Sequence, residues 1–321
     1  MGLKAEIARL KWSLASEKKK QKLLDEACDF LRIWPETNAL LEMAKTNGIG
    51  IRFDSTLDGT DTDGVFHRNR ATGECFIGLR PCLKPDEIAI PLIHELRHFW
   101  QEKQLGLTPE TGALSETNVQ MALVVTRVKE ADAFAFTNLM ISRINNAMQD
   151  FKDAQALERK LLSETNAPQL SPAQQEQVDD FLAARMSARL PAETKKMADD
   201  FVRELGDLDS YDRIAIGDYF RRYISPTGPG LKHLTAKDGP VVDISGLRRI
   251  LHAGSENMPA YMDAQDDKAL VETVLSGAKP GIRDVASLID AFETAARKGA
   301  PQETLTKQAL DIGNRVHNLT P

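Results

Sequence analysis

A five-residue segment of the chain combines the residue types that a zinc hydrolase needs, and it reads His94-Glu95-Leu96-Arg97-His98. With 3.6 residues per helical turn, His94 and His98 lie one turn apart on one face, so both imidazoles can bind the same ion. Zinc with three protein ligands keeps a position for water and lowers the pKa of that water to about 7. Glu95 is placed to accept the proton as general base and to deliver it to a leaving amine.

A third ligand must come from outside this motif. The extended pattern with a third histidine is absent, because Gln101 and Gln104 stand where it requires glycine and histidine. The later segment 127–136 contains two carboxylates in a run rich in alanine, valine and phenylalanine, and buried carboxylates need a partner or a metal. We predict that Glu130 completes a site for one Zn²⁺ per chain and that Asp132 orients a histidine or forms a salt bridge. The reverse assignment is the alternative.

The motif resembles that of the gluzincin-type zinc metallopeptidases, because it follows a strand and a hairpin and precedes a helix bearing Glu130-Ala131-Asp132-Ala133. The chain is most similar to a small bacterial family of metallopeptidase-like proteins described as a domain of unknown function. The resemblance covers roughly residues 25–145 and implies a zincin-like core that hydrolyses peptide bonds. In many gluzincins the glutamate ligand precedes an Ala-Asp or Ala-Asn pair by three residues, where this chain has Val128. The choice of Glu130 therefore follows the smaller family.

Three short segments before the motif predict a small sheet. Residues 49–53 alternate apolar with small or polar side chains, and residues 64–68 and 74–79 flank a turn. We expect a strand and a hairpin that pack on the helix carrying the motif. If the strand 74–78 lies at the edge beside the cleft, an extended peptide could pair with it.

Helical periodicity dominates the rest of the chain. Residues 1–46 are predicted to be helical with a break at Trp34-Pro35. The motif helix begins either near Ile90, with Pro91 in its first turn, or at Asp86, with a kink at Pro91. A very apolar segment from 117 to 148 predicts a long helix that carries Glu130.

Further breaks are predicted after this helix, at positions rich in proline and glycine. They fall at 166–168, 190–191, 225–230, 239–240 and 279–281. The segment 225–240 is either a lid or a plain surface connection. We predict an α+β, predominantly helical fold with an N-terminal helical segment (1–46), a zincin-like core (47–148) and a helical C-terminal region (149–321).

Composition excludes several functional classes. Lys and Arg number 41 against 47 Asp and Glu, a formal charge of −6, so no binding to nucleic acid through general basic charge is expected. The three cysteines, Cys28, Cys75 and Cys82, have no Cys-x-x-Cys spacing and predict neither a disulfide framework nor a thiolate zinc site. No secretory signal and no membrane span is recognisable. We expect a cytoplasmic protein.

Other polar residues have a functional and a structural interpretation. Arg97 and Arg127 could hold a substrate carboxylate or form ordinary salt bridges, and His67 is expected on a strand, facing solvent or the sheet. A tyrosine or histidine of the C-terminal half could donate a hydrogen bond to the oxyanion of a tetrahedral intermediate. The candidates are Tyr219, Tyr223, His233 and His252.

The leading functional hypothesis is a zinc-dependent metallopeptidase acting on a peptide or protein, with His94, His98 and Glu130 on the metal and Glu95 as base. The first alternative is a non-catalytic, zincin-shaped helical interaction protein with a structural or lost metal, whose C-terminal region binds a protein partner. The second is metal-assisted hydrolysis of another bond, such as a non-peptide amide. An intact Glu95 favours an enzyme, because a structural site has no use for that carboxylate.

Overall fold

The computed structural model describes residues 12, 15–58, 60–68, 74–81, 85–107, 119–165, 167–225, 261 and 267–319. The predicted fold class is confirmed for this part of the chain, which is mainly helical with a three-stranded mixed sheet. None of the helices in these ranges combines the length and apolar character needed to cross a membrane.

Two helices, α1 (Glu17–Arg32) and α2 (Pro35–Thr46), form the N-terminal segment. The predicted break at Trp34-Pro35 is confirmed, because Pro35 is the first residue of α2. Each helix buries an apolar face at helical spacing. The buried residues on these faces include Leu24, Leu31, Leu40 and Leu41.

The sheet contains β1 (Gly50–Phe53), β2 (Gly64–Arg68) and β3 (Cys75–Leu79) in the order β1-β3-β2. The strand and hairpin predicted from the sequence are confirmed, with β2 antiparallel to β3. The prediction that residues 74–78 form an edge strand is wrong, because β1 pairs in parallel with the other side of β3. The sequence of a hairpin indicates that its two strands pair with each other. It does not indicate whether a third strand pairs with the other side of β3.

Helix α3 (Pro85–Leu105) carries the histidine motif and packs on the sheet. It begins at Pro85 and continues through Pro91, so the second of the two predicted starting points is correct to within one residue. Its apolar residues recur at intervals of three or four and are fully buried. They are Ile88, Leu92, Leu96 and Phe99.

Helix α4 (Val119–Thr165) carries Glu130 and packs against α3 and along α5 (Pro172–Leu205). The break between them at 166–168 is confirmed, but the break predicted at 190–191 is wrong, because Pro191 lies inside α5. Proline removes one backbone hydrogen bond, and α5 packs against α4 on both sides of it. On one side Glu193 binds Arg143 at 2.8 Å, and on the other Val178 packs with Leu161.

The C-terminal region continues with α6 (Asp209–Tyr219), a π-helical turn (Phe220–Ile224), α7 (Asp267–Ser276), α8 (Pro280–Arg297) and α9 (Gln302–Leu319). The break at 279–281 is confirmed, since Pro280 begins α8. The segments 225–240 and 239–240 lie outside the described residues apart from Ser225. The main hydrophobic core contains residues of all three predicted parts of the chain, from Leu24 through Phe99 to Phe201 and Val274. A second core joins the start of α4 to α6, α8 and α9.

Candidate metal centre

Three side chains from two helices converge on one point. His94 and His98 project from α3, and Glu130 projects from α4. The Nε2 atoms of His94 and His98 lie 3.0 Å apart. The Oε2 atom of Glu130 lies 3.4 Å from Nε2 of His94 and 3.3 Å from Nε2 of His98. The structure therefore brings together the three residues that the sequence predicts as metal ligands.

The spacing and chemistry of these atoms suit a small cation. Ligand atoms about 2.1 Å from a tetrahedral zinc ion lie about 3.4 Å from one another. The side chains of His94, His98 and Glu130 are 12, 10 and 14% exposed, so they are shielded from bulk water yet reachable. The Oε2 atom of Glu130 is buried without a hydrogen-bond partner, although buried polar atoms nearly always have one. Two imidazoles and a carboxylate form a donor set that fits zinc.

The electrostatics of the cluster also favour a positive charge between the three donors. Burial opposes the imidazolium form of His98, but the Glu130 carboxylate outweighs it, so the pKa of His98 is raised. Burial opposes ionisation of Glu130, but the charge of His98 and the contacts of both histidines outweigh it, and the pKa of Glu130 is lowered far below its usual value. Either a proton or a metal cation can supply the charge that these groups attract.

Gln101 determines which nitrogen of His98 faces the cluster. The Gln101 Nε2 group donates to Asp132 Oδ2 at 2.7 Å and to the Lys129 carbonyl at 2.9 Å. Both partners can only accept, so the Gln101 oxygen must point the other way, where it lies 2.9 Å from Nδ1 of His98. We infer that Nδ1 carries the ring proton and that Nε2 presents its lone pair to Glu130 and His94, as a metal ligand requires.

Asp132 lies behind this layer and not among the three converging atoms. It accepts two hydrogen bonds from Arg97, from Nε at 2.7 Å and from a terminal nitrogen at 2.8 Å. The Tyr261 hydroxyl donates to Oδ1 of Asp132 at 2.8 Å. Arg97 and Asp132 are 1 and 0% exposed. Of the two roles predicted for Asp132, the structure shows the salt bridge directly, and Asp132 reaches His98 through Gln101.

Replacing Gln101 by leucine is expected to weaken zinc binding about 10- to 100-fold, which is the usual effect of removing the partner of a ligating histidine. The physical reason is that His98 loses the acceptor that holds its ring and selects its tautomer. Competition against a chromophoric chelator measures the affinity. Gln104→Leu, further along the same helix, is the control and should bind zinc like the wild type. Equal affinities of the Gln101→Leu variant and the wild type would show that the amide does not orient His98.

Glu95 lies beside the cluster and is 6% exposed. Its carboxylate acts electrostatically on His98 and on the Tyr211 hydroxyl, and it raises the pKa of both. Strand β2 passes close to it at Gly64, where a Cβ atom would lie 3.0 Å from Glu95 Cγ and 3.2 Å from Glu95 Oε1. A glycine at this position lets the strand approach the carboxylate without displacing it.

A cavity of about 250 Å³ opens beside the cluster, between α4 and the α6 helix with its π-helical turn. Two of the four residues named from the sequence as oxyanion donors, Tyr219 and Tyr223, line this cavity. The other two, His233 and His252, lie outside the described residues. His67 lies exposed on β2, in ring contact with Phe76.

Tyr211 also lines the cavity, together with Glu130, and sequence analysis missed it. Its ring contacts that of Phe134, which in turn contacts His94. Burial and the negative charges of Glu130 and Glu95 raise the pKa of its hydroxyl, which therefore stays protonated and able to donate. No local pattern around Tyr211 marks it, because α6 approaches the cluster only through the tertiary fold.

Arg127 and Arg97, both candidates for binding a substrate carboxylate, instead form buried salt bridges. Arg127 pairs with Asp212 on α6, and both side chains are fully buried. It also donates to the carbonyl groups of Leu205 and Val274. Arg127 on α4 therefore binds groups of α5, α6 and α7. Its partner on α6, Asp212, is the residue next to Tyr211.

A buried glutamate behind the cavity makes the stability of the C-terminal region depend on pH. The Tyr219 hydroxyl donates to Glu293, which is 3% exposed. Burial raises the pKa of Glu293 to about 7, against the opposing hydrogen bond from Tyr219. An unfolded chain loses this proton near pH 4.5, so the free energy of unfolding falls as the pH rises from about 4.5 to about 7.

Glu293→Gln is therefore expected to raise the free energy of unfolding at pH 8 by about 1 to 3 kcal/mol, because no charge then has to stay buried. At pH 4.5 the variant and the wild type should differ little. Urea denaturation at both pH values measures the effect. Glu158→Gln, on the exposed face of α4, is the control. The interpretation fails if the difference between the Glu293→Gln variant and the wild type is the same at both pH values.

No family model, curated protein or solved structure matches the chain. The resemblance to gluzincins therefore stays a prediction from the motif.

Proposed function

We propose that this protein is a zinc-dependent hydrolase that cleaves peptide bonds. His94, His98 and Glu130 would hold the ion, and Glu95 would act as general base. The observation that carries the proposal is the convergence of two imidazole nitrogens and one carboxylate oxygen at 3.0 to 3.4 Å, beside a buried carboxylate and an open cavity. The three-stranded sheet with α3 and α4 is, on this proposal, a zincin-like core.

Zinc at this position would supply Lewis acidity toward water and the substrate carbonyl. Glu95 accepts a proton from the attacking water and returns it to the leaving nitrogen. The Tyr211 hydroxyl donates to the oxygen on which negative charge develops, a role that its raised pKa supports. Gln101 and Asp132 keep His98 in one orientation and one tautomer.

The presence of Glu95 favours hydrolysis over the non-catalytic alternative. A structural zinc site has four protein ligands and needs no carboxylate beside an open position. Here three donors converge and a cavity lies alongside Glu130. An interaction protein with a structural metal would gain nothing from this arrangement.

Zinc content is the first test of the proposal. Elemental analysis of the purified wild type should give close to one zinc per chain, and His98→Ala and Glu130→Ala should each lose it because two remaining ligands bind zinc weakly. His67→Ala, at an exposed strand position, is the matched control and should keep the ion. Absence of zinc from correctly folded wild-type protein, even after refilling, would overturn the proposal and favour the interaction protein.

A further inference from the structure

The cavity beside Glu130 has a composition that points to one class of ligand. At about 250 Å³ it is large enough for one or two amino-acid residues and small for most organic cofactors. Glu130 forms part of its wall, so anything bound in it lies next to the three converging donor atoms. The residues that bear on its chemistry are Lys129, Glu130, Tyr211, Tyr219, Arg222 and Tyr223.

Two basic side chains, Lys129 and Arg222, line this cavity. In the described part of the chain neither lies within ion-pair distance of an acidic residue, although the charges of Glu130 and Glu95 act on Lys129. Asp218, the other acid in the wall besides Glu130, is bound by Arg221, which is not a lining residue. Glu130 directs its Oε2 atom toward the histidines. Arg222 thus lines the cavity without an ion-pair partner among the described residues.

The two basic side chains can contribute in different ways. Arg222 presents several N–H donors in a fork that matches a carboxylate. Lys129, whose pKa burial lowers, offers a second N–H donor beside Glu130 on the opposite helix. Tyr219 and Tyr223 form a wall whose rings lie 4.8 Å apart, and Glu293 fixes the Tyr219 hydroxyl from behind. The cavity thus joins an aromatic wall, with the Tyr219 hydroxyl held by Glu293, to the N–H donors of Arg222 and Lys129.

We propose that this cavity is the substrate subsite that binds a carboxylate group, with Arg222 and Lys129 as its donors. The inference rests on the proposed function and deepens it by naming the substrate class. The substrate is a peptide with a carboxylate near the scissile bond. That carboxylate is either an aspartate or glutamate side chain or the C-terminal group of the peptide, since both offer the same two oxygens.

Direct binding measurements on the zinc-loaded chain of 321 residues test this subsite without depending on turnover. The protein carries Glu95→Gln so that the peptides are not cleaved. Three N-acetylated alanine peptides are titrated by calorimetry: one with a central glutamate and an amidated C-terminus, one with a free C-terminus, and one with neither carboxylate. We expect at least one carboxylate peptide to bind about tenfold or more tightly than the neutral one. The peptide that binds identifies the source of the carboxylate.

Substitutions at Arg222 then assign the binding to the cavity. Arg222→Gln should remove the advantage of the carboxylate peptide, and Arg222→Lys should restore part of it because the charge returns without the fork. Arg213→Gln, on α6 but outside the cavity wall, removes the same charge and should leave the affinity unchanged. Equal affinity for all three peptides, or an Arg222→Gln variant that binds like the wild type, would overturn the subsite. Carboxylate binding by this protein, together with no cleavage of the same peptides by the zinc-loaded wild type, would instead count against the proposed reaction and leave the subsite standing.

Discussion

Glu95→Gln is expected to reduce peptide hydrolysis by about 10²- to 10⁴-fold while the protein stays folded and keeps its zinc. Positioned general bases contribute a factor of this size. Glutamine has nearly the same shape as glutamate, so it fits between α3 and Gly64, where space is tight. It cannot accept a proton, and the three metal-binding side chains are untouched. Hydrolysis of a peptide library, followed by mass spectrometry, measures the rate, and elemental analysis measures the zinc.

Glu102→Gln is the matched control for this result. Glu102 lies on the same helix, is 5% exposed compared with 6% for Glu95, and does not belong to the converging group. The same chemical change at this position should leave the rate within a few-fold of the wild type. A Glu95→Gln variant that retained more than a tenth of the wild-type rate would exclude Glu95 as the general base.

Arg97→Leu is expected to lower the free energy of unfolding by about 3 to 5 kcal/mol, because it leaves the Asp132 carboxylate buried without its counter-charge. Asp132 is fully buried, and burial opposes its ionisation, but Arg97 lowers its pKa and keeps it charged. The whole stability of a domain is about 5 to 15 kcal/mol, so the loss is a large fraction of it. Urea denaturation measures the change.

Arg32→Leu provides the comparison for this buried pair. Arg32 binds Asp29 at 2.6 Å, but the two side chains are 44 and 71% exposed, so a change below about 1 kcal/mol is expected. Combining Arg97→Leu with Asp132→Leu should recover part of the lost stability, because no unpaired charge then remains buried. If Arg97→Leu cost no more than Arg32→Leu, the pair would not be a structural anchor of the metal centre.

The sequence by itself determined the features that depend on neighbours along the chain. His94 and His98 share a helical face because they are four residues apart, and this relation holds wherever the helix packs. The alternation in residues 49–53, the turn between residues 68 and 74, and the helical period of residues 17–46 are likewise relations between neighbours along the chain. The strands at 50–53, 64–68 and 75–79 were accordingly located to within a residue.

Prediction from the local sequence was less reliable where tertiary packing outweighs the helix or strand propensity of the residues. Pro191 was expected to end a helix, but α5 continues through it, with contacts to α4 on both sides of the proline. Strand β3 was expected at an edge, but β1, the strand before the hairpin, pairs with its free side. In both cases the deciding interaction comes from another element, which the local residues do not encode.

The tertiary structure alone decided which carboxylate faces the histidines. Glu130 and Asp132 are two residues apart, so they point about 200° apart around the same helix. The sequence shows that they face different neighbours, but not which of the two faces meets α3. The packing of α4 on α3 places Glu130 at His94 and His98 and Asp132 at Arg97.

Contacts between helices also determined most of the rest of the candidate site. Gln101 looked from the sequence like a mere departure from the extended histidine motif, and it lies between His98 and Asp132. Tyr211 and Arg222 lie far from the motif in sequence and line the cavity beside Glu130. Spacing along one helix is fixed by covalent geometry, whereas a contact between helices depends on how every apolar face of the chain is buried.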